Sequence, residues 1–419
     1  MLFLYNILQV LLLVIILPLL AAVFAVRPGY RRHILSRLGL GARELVPFPA
    51  PRKKTIWVHA LSVGEVTSSL PLIRGIRAAF DVTLIFSATT RTGSRLAEDI
   101  IAPHVDRIVL FPLDILPVIH RFLTLIRPDL FILVETDFWP NLLSVLHKKG
   151  IPSLLVNGRI SEKSMGAYRR FGFFFRPLFR SFAALSMQTA ADRENLIALG
   201  IPEDRIFTLG NLKFDTPTLV EKNPDQVDQP PGLCLVAGST HRGEEEILLA
   251  AYTRLKRDRQ TLSLVIAPRD ISRRTEIGRL AESLGLAAVC RSQGATSLRP
   301  DLLILDTIGE LAAYYRSCDI AFVGGSLVDQ GGHNPIEPAV MGLPVLFGPH
   351  MEDFAEIAED LLAAGGALRV HNGDSLFLTL ERLFDDPAFR RTTGKAAAVY
   401  IKDKQGVVTR HLALIRKFL

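Results

Sequence analysis

Residues 319–349 read DIAFVGGSLVDQGGHNPIEPAVMGLPVLFGP, and this stretch decides the fold class. It predicts an apolar strand at Ile320–Val323, a glycine-rich turn, a helix that begins at Asn334–Pro335, and a second strand at Leu343–Phe347. Glycines permit positive φ and close approach of a ligand, and a helix N-terminus beside them is suited to an anion. A nucleotide site is therefore favoured over an ordinary crossover in which Asn334 only caps the helix.

Short apolar runs alternate with helical patterns throughout the chain, which is typical of parallel βαβ units in a doubly wound sheet. The predicted strands are Ile56–Ala60, Val82–Ser87, Arg107–Phe111, Leu130–Val134, Ser153–Val156, Ile206–Leu209, Leu233–Ala237, Leu262–Ala267, Leu302–Leu305, Ile320–Val323 and Val345–Phe347. The predicted helices include Pro71–Phe80, Asn141–Lys149 and the last stretch, Pro387–Leu419.

A polar, proline-containing segment interrupts this alternation and predicts a domain linker. We expect a membrane anchor at residues 1–27, a Rossmann-like domain at 28–212, the linker at 213–232 and a second Rossmann-like domain at 233–419. The last helix could pack back on the first domain. Two such domains predict an α/β fold with a ligand cleft between the carboxyl ends of their strands.

Charge and hydropathy point to an anionic partner and a membrane. The chain has 419 residues and a formal net charge of +7 at pH 7. Residues 2–26 contain no charged side chain, which is enough for a membrane segment, and Arg27, Arg31 and Arg32 follow at once. A signal peptide carries its charge before the apolar core, so an uncleaved anchor with the body in the cytoplasm is favoured. The three cysteines show no paired spacing, as expected in a reducing compartment.

A basic, aromatic segment at residues 159–180 reads RISEKSMGAYRRFGFFFRPLFR. Arginine interleaved with phenylalanine suits a membrane surface with anionic headgroups. The same composition could bind nucleic acid by stacking, or form a helix whose phenylalanines are core. Because an apolar segment lies at the N-terminus, the membrane is favoured over nucleic acid.

Three polar residues in the first domain and at the start of the linker could carry chemistry. Glu65 lies three residues after Ser62, so it is either part of a capping box or a base that takes a proton from an acceptor hydroxyl. Glu135 ends an apolar strand, where a carboxylate needs a partner or a role. Lys213, near the linker, could neutralise a leaving phosphate or simply be solvated.

In the second domain, AGSTHRGEEE at residues 237–246 could hold a phosphate or be a well-capped helix start. Arg269 and the turn at residues 308–310 could contact a base or a sugar. The chain contains no D-x-D and no G-x-x-x-x-G-K-[ST], which disfavours a metal-bridged nucleotide-sugar site and a P-loop ATPase.

Taken in order, eight motifs resemble one family, the Kdo (3-deoxy-D-manno-octulosonic acid) transferases of Gram-negative lipid A assembly. The resemblance covers nearly the whole chain. The motifs are SVGE at 62–65, ETDFWPN at 135–141, NGRIS at 157–161, GNLKFD at 210–215, AGSTHRGEE at 237–245, APR at 267–269, DTIGEL at 306–311 and GGSLVDQGGHNPIEP at 324–338. Asp137 and Asp270 depart from the family, which commonly has Glu and His at these positions.

The resemblance implies a GT-B glycosyltransferase with two Rossmann-like domains facing a cleft, the acceptor in the first and the donor substrate CMP-Kdo in the second. It implies transfer of Kdo to lipid IVA in lipopolysaccharide core biosynthesis at the cytoplasmic face of the inner membrane, with inversion and without metal or cofactor. Glu65 then matches the general base, and Glu135 and Lys213 match residues that stabilise the transition state. The implied contacts to CMP-Kdo are Ser239, Thr240, Pro268, Arg269, Ile308, Gly309, Glu310, Asn334, Pro335, Ile336 and Glu337.

Two other functions fit parts of the sequence. One is a membrane-associated GT-B glycosyltransferase that uses a UDP-sugar and a lipid acceptor. The other is a non-catalytic protein that binds anionic lipid through residues 159–180.

Overall fold

A computed structural model describes residues 2–26, 34–40, 53–215, 232–259, 261–293 and 300–419. The strands are β1 (Thr55–Ala60), β2 (Thr83–Ala88), β3 (Arg107–Leu110), β4 (Leu130–Val134), β5 (Ser153–Gly158), β6 (Ala184–Met187), β7 (Ile206–Thr208), β8 (Cys234–Thr240), β9 (Ser263–Pro268), β10 (Ala288–Cys290), β11 (Leu302–Ile304), β12 (Ile320–Val323), β13 (Val345–Phe347) and β14 (Ala367–Arg369).

The helices are α1 (Leu2–Val26), α2 (Val63–Ala79), α3 (Arg91–Ile100), α4 (Leu116–Ile126), α5 (Pro140–Lys148), α6 (Glu162–Arg170), α7 (Gly172–Ser181), α8 (Ala190–Ala198), α9 (Glu244–Lys256), α10 (Arg274–Ser283), α11 (Leu311–Ser317), α12 (Ile336–Val340), α13 (Ala355–Ala363), α14 (Gly373–Asp385), α15 (Pro387–Lys404) and α16 (Val407–Arg416). The 3-10 helices are Ala102–His104, Glu203–Arg205, Leu212–Asp215, Ile271–Arg273, Arg291–Gln293 and Glu352–Phe354.

The chain forms two compact units. Unit 1 is Met1–Thr216 together with Gly406–Leu419, and unit 2 is Pro217–Gln405. In the described residues each unit contains a parallel sheet of seven strands flanked by helices. The predicted α/β class, with two Rossmann-like units of the GT-B type, is confirmed.

The sheet of unit 1 has the order β3-β2-β1-β4-β5-β6-β7. Its central strands are buried along their whole length because helices cover both faces, as a parallel sheet requires. The strand order reverses between β1 and β4, which pair directly. Ligands of doubly wound sheets bind beyond the carboxyl ends of the strands at such a switch point. Glu65 lies in the first turn of α2, which follows β1, and Glu135 lies in the loop after β4, so both lie at this edge.

The C-terminal helix α16 belongs to unit 1. Its N-terminus is held by the Asp215 carboxylate, which accepts the N–H groups of Gly406 at 2.8 Å and Val408 at 2.6 Å. The helix packs closely on α2, where a Cβ at Gly75 would lie 2.7 Å from Cγ1 of Val408. Residues 212–215, which carry the GNLKFD motif, are thereby fixed between α2 and α16.

The sheet of unit 2 has the order β10-β11-β9-β8-β12-β13-β14, and its order reverses between β8 and β12. The AGSTHRGEE motif spans the end of β8, the loop after it and the start of α9, and the glycine-rich stretch follows β12. The two motifs therefore lie side by side at the carboxyl edge of the second sheet.

Several elements differ from the sequence prediction. Strands β6, β10 and β14 were not predicted, because they are only three or four residues long and carry weak β patterns. The predicted C-terminal helix is two helices separated at Gly406, which has φ 80°. Lys213–Asp215, predicted as the start of the linker, form part of a 3-10 helix in unit 1, and linker residues 216–231 lie outside the described residues.

The predicted anchor forms the helix α1. Among the residues that the structure describes, no helix combines the length and the apolar character that crossing a membrane requires. The basic flank at residues 27–33 lies outside the described residues.

Replacing Asp215 by alanine should lower the free energy of unfolding by about 1–2 kcal/mol, because two N–H groups at the start of α16 lose a charged acceptor. Urea-induced unfolding measures the change. The matched control is Asp204→Ala, which removes an exposed aspartate and should change stability by less than about 0.5 kcal/mol. Equal effects of the two substitutions would show that Asp215 does not hold the helix.

Candidate active site

Glu65 is buried in the first turn of α2, with 9% of its surface exposed. The Ser62 hydroxyl accepts the Glu65 N–H at 3.4 Å and donates to its Oε1 at 3.1 Å. Glu65 Oε2 accepts the N–H of Leu61 at 2.5 Å, so the carboxylate reaches the residue before the cap. The predicted cap therefore exists, and it also fixes the position of the Glu65 carboxylate.

Burial raises the pKa of Glu65 to about 7, and the nearby carboxylates of Glu135 and Asp137 add to this shift. The Leu61 N–H and the Ser62 hydroxyl oppose it, because they stabilise the charged form. A carboxyl group with a pKa near neutrality can take up and release a proton, as a general base must. The environment of Glu65 thus allows its carboxyl group to exchange a proton near neutral pH instead of staying ionised.

Glu135 follows β4 with a φ of 63°, in the left-handed region that non-glycine residues seldom adopt. Its N–H donates to the Val156 carbonyl at 2.9 Å, and its Oε1 accepts the Asn157 Nδ2 at 3.3 Å. Burial raises the pKa of Glu135, while Lys213 and Arg159 lower it. Such backbone strain costs about 1–3 kcal/mol and is concentrated at functional sites.

Asn157 connects Glu135 to the segment that carries Lys213. It is fully buried with a φ of 57°, and its Oδ1 accepts the Leu212 N–H at 2.9 Å while its Nδ2 donates to Glu135. Its carbonyl accepts Gln188 Nε2 at 2.9 Å. One buried amide thus holds the Glu135 carboxylate and the Lys213 segment in a fixed relation.

The loop between β4 and α5 contains a second acid, Asp137. Burial raises its pKa. Among the described residues, Asp137 Oδ2 and Trp139 Nε1 are buried and form no hydrogen bond of standard geometry, although the Trp139 N–H lies near enough to Asp137 to lower the pKa of that carboxyl. Buried polar atoms in folded proteins are normally paired. A buried acceptor and a buried N–H donor that lie close together without standard hydrogen-bond geometry are therefore suited to a ligand that carries hydroxyl groups.

In unit 2 the turn after β12 already binds an anion, the side chain of Glu244. This carboxylate is fully buried and accepts the N–H groups of Gly325 at 2.7 Å, Ser326 at 3.0 Å and Leu327 at 2.9 Å. It also accepts the N–H of His241 at 2.9 Å. The anion site predicted in the glycine-rich turn is filled, at these three amides, by a carboxylate of the chain.

The two predicted phosphate contacts after β8 differ from one another. Thr240 is buried, because β8 extends through it, and its hydroxyl donates to Glu245 Oε1 at 2.9 Å. Arg273 donates to the same oxygen at 2.8 Å. Ser239 is partly exposed and has a φ of 56°. The Ser239 side chain is thus the more accessible of the two.

Three further predicted contacts surround this edge of unit 2. Arg269 is exposed directly after β9, and its charge lowers the pKa of His333, after the larger effect of burial. His333 Nε2 lies 2.8 Å from His241 Nε2. Ile308 is 79% exposed, an unusual position for an isoleucine, and Glu310 pairs with Arg291 at 2.8 Å.

Asn334 and Glu337 interact with each other at the start of α12, which begins one residue later than predicted. The helix begins at Ile336 rather than at Asn334–Pro335, and Asn334 Oδ1 accepts the Ile336 N–H at 3.1 Å. Asn334 Nδ2 donates to Glu337 Oε1 at 3.1 Å, and burial raises the pKa of Glu337. Contact of both residues with the donor substrate stays a prediction.

Comparison with known proteins decides the family. Residues 32–216 match the family model described as 3-Deoxy-D-manno-octulosonic-acid transferase (kdotransferase). A 3-deoxy-D-manno-octulosonic acid transferase from Haemophilus influenzae is 32% identical over 403 residues, covering 94% of this chain and 92% of that protein. The chain belongs to the Kdo transferase family. It is a glycosyltransferase, and the family and enzyme class predicted from the motifs are confirmed.

Two more similarities agree with this membership. A 3-deoxy-D-manno-octulosonic acid transferase from Bordetella pertussis is 31% identical over 392 residues, with 90% of each chain covered. A UDP-GlcNAc 2-epimerase from Neisseria meningitidis, solved bound to UDP-GlcNAc, superposes with a TM-score of 0.59 at 15% identity, covering 87% of this chain and 100% of that chain. The latter shows the fold alone.

The structure brings Glu65, Glu135 and Lys213 to one edge of unit 1, as their predicted positions after strands require. Sequence reasoning assigned no role to Asn157 or Glu244, although both lie in quoted motifs. In the sequence, each of the two is a polar residue without an evident local partner. Asn157 ends an apolar run, and Glu244 opens a run of three glutamates. Glu244 and Glu245 are both buried, and only the tertiary contacts show that Glu244 holds the turn after β12.

Substituting Glu244 by glutamine should lower the free energy of unfolding by about 2–4 kcal/mol, because a buried anion that accepts four N–H groups becomes an amide with one acceptor oxygen. Thermal and urea unfolding measure the loss. Glu282→Gln, at an exposed position on α10, is the control and should be neutral. A neutral Glu244→Gln would contradict the role of this carboxylate in the turn.

Proposed function

We propose that this glycosyltransferase transfers Kdo from CMP-Kdo to lipid IVA in lipopolysaccharide core biosynthesis, with inversion and without a metal ion. The observation that carries the proposal is the environment of Glu65: a buried carboxyl group at the switch point of unit 1, with a pKa raised to about 7. The names of the relatives and the ordered motifs support Kdo as the transferred sugar.

In the proposed step the Glu65 carboxylate takes the proton of a sugar hydroxyl on lipid IVA. The hydroxyl oxygen forms a bond to the anomeric carbon of Kdo, and the bond from that carbon to the phosphate oxygen of CMP-Kdo breaks with its electron pair on CMP. Inversion follows because attack and departure take place on opposite faces of the carbon.

The residues around Glu65 take supporting roles in this proposal. Glu135, held by Asn157, stabilises the positive charge that develops on the sugar, and Lys213 offsets the negative charge that develops on the leaving phosphate. Asp137 Oδ2 and Trp139 Nε1, which are buried and form no hydrogen bond of standard geometry among the described residues, would bind hydroxyl groups of the acceptor. In unit 2 the contacts to CMP-Kdo are those predicted from the motifs, with Ser239 more accessible than Thr240.

We also place the enzyme on the cytoplasmic face of the inner membrane. The first half of α1 exposes large apolar side chains, from Phe3 at 79% to Ile15 at 74%. Phe171 and Phe173 are exposed at the start of α7 among exposed arginines of residues 169–180. Tyr5 and Phe174 are in ring contact at 6.3 Å, so the two apolar regions adjoin. Apolar side chains beside arginines suit an anionic lipid surface.

Only part of the basic, aromatic segment at residues 159–180 is exposed in a way that supports a lipid surface. Phe179 is fully buried and packs with Tyr168 and Phe175 against Phe138, so these aromatic residues are core. The exposed arginines and the two exposed phenylalanines are the part that can meet lipid.

Glu65→Gln should reduce Kdo transfer about 10²–10⁴-fold, because glutamine keeps the shape of the side chain but cannot take a proton. Binding of CMP-Kdo, measured by calorimetry, should be unchanged. The control is Glu98→Gln, at an exposed position on α3, which should retain full activity. Near-normal turnover of Glu65→Gln would return Glu65 to a capping role.

The pH dependence of kcat/KM should show an acidic limb. The base must be deprotonated, and the pKa of Glu65 is raised to about 7, so activity rises as the pH rises through that value and is lost below it. Glu135→Gln removes a neighbouring negative charge, lowers the pKa of Glu65 and should move this limb to lower pH, whatever it does to the maximum rate. An unmoved limb would contradict electrostatic coupling of the two carboxyl groups.

A further inference from the structure

The helix α1 carries three polar side chains in an otherwise apolar sequence, and all three contact the body of unit 1. Tyr5, Asn6 and Gln9 lie within one turn of each other, so they share one side of the helix. Tyr5 OH donates to Asp114 Oδ2 at 3.0 Å, and Gln9 Nε2 donates to the Asp114 carbonyl at 3.0 Å. The described apolar side chains at Phe3, Leu4, Leu8 and Leu11 are exposed.

Asn6 forms a reciprocal pair with Asn141. Asn6 Nδ2 donates to Asn141 Oδ1 at 3.0 Å, and Asn141 Nδ2 donates to Asn6 Oδ1 at 2.9 Å. Asn141 also donates to Gln9 Oε1 at 3.3 Å and to the Asp114 carbonyl at 2.7 Å, and it is fully buried. We call Tyr5, Asn6, Gln9, Asp114 and Asn141 the polar latch.

The same two body residues also hold the loop that follows β4. The Asp114 carboxylate accepts the N–H groups of Asn141 at 3.0 Å and Leu142 at 2.9 Å, at the start of α5. Residues 135–139, which carry Glu135 and Asp137, end where this helix begins. The polar latch therefore joins α1 to the helix whose N-terminus fixes the carboxyl-bearing loop of the candidate site.

A membrane anchor does not require these polar contacts between α1 and the rest of unit 1. An apolar segment keeps a protein at a membrane without a fixed orientation. A set of mutually paired polar groups that includes the buried Asp114 and Asn141 favours one geometry, because a buried member left unpaired is costly. The polar side of α1 faces unit 1 and the exposed apolar side faces away from it. The latch thus fixes how the loop of residues 135–139 is oriented relative to the exposed apolar side of α1.

We propose that Asp114 and Asn141 are positioning residues that fix α1 on unit 1, so that the carboxyl-bearing loop is presented to acceptor hydroxyls at a set height and tilt above the lipid surface. The effect of the latch on turnover rests on the proposed function, because it assumes that the acceptor is a lipid. The latch itself is a property of unit 1.

Its first test measures geometry. Spin labels at Leu12 on α1 and Arg95 on α3, both exposed, are introduced into the full chain with its cysteines replaced by alanine, in lipid nanodiscs. The distance between the labels should be narrowly distributed with the latch intact and at least twice as broad in Asn6→Ala. Equal distributions would overturn the latch, whether or not the protein proves to transfer Kdo.

Its second test measures turnover with two acceptors, lipid IVA embedded in nanodiscs and a water-soluble, deacylated form of the same sugar. Asn6→Ala should lose about tenfold in kcat/KM with the embedded acceptor and less than twofold with the soluble one, while vesicle flotation shows unchanged membrane binding. Asn195→Ala on α8 is the matched control and should behave as wild type with both. Combining Asn6→Ala with Asn141→Ala should be no worse on the embedded acceptor than Asn141→Ala alone.

Equal losses with both acceptors would overturn the positioning role, because they indicate damage to the site itself. No loss with the embedded acceptor would overturn it as well. Wild-type protein that transfers Kdo to neither acceptor would contradict the proposed function, and the label distances would then decide the latch separately.

Discussion

Burial of carboxyl groups at the carboxyl edge of the first sheet is the constraint on which the site depends. Glu65, Glu135 and Asp137 all lie at this edge, and burial raises the pKa of each. Burying several acidic groups together costs free energy of folding unless the groups are paired or protonated, and such a cost is retained where the groups have a function. The structure offsets part of the cost through the Leu61 N–H, the Asn157 amide and the charge of Lys213, and the Glu65 carboxyl keeps a pKa near neutrality.

The second sheet also has a buried carboxylate at its switch point, but this carboxylate is fully supplied with hydrogen-bond donors. Glu244 accepts four N–H groups from two loops, so its charge is satisfied and it joins the turn after β12 to the loop after β8. A carboxylate with so many donors is structural, whereas Glu65 accepts a single N–H and one hydroxyl. One topology thus gives a buried carboxyl group few donors in unit 1 and many donors in unit 2.

The alternation of apolar runs predicted both sheets and the positions of most strands, because buried parallel strands give continuous hydrophobic segments. Edge strands β10 and β14 are too short to leave such a signal. For the site, position after a strand made Glu65, Glu135 and Lys213 candidates, and the resemblance to the family implied their roles. The pairing of Asn157 with Leu212, and of Asn6 with Asn141, joins residues 55 and 135 positions apart, which no local pattern records. Their roles required the folded chain.

The most direct test of the account is mass spectrometry of lipid IVA after incubation with the purified full chain and a system that generates CMP-Kdo. The account predicts that the mass of lipid IVA rises by whole Kdo units, that the rise needs CMP-Kdo, and that UDP-sugars do not replace it. Transfer from a UDP-sugar with none from CMP-Kdo would contradict the account and identify a different membrane-associated GT-B glycosyltransferase.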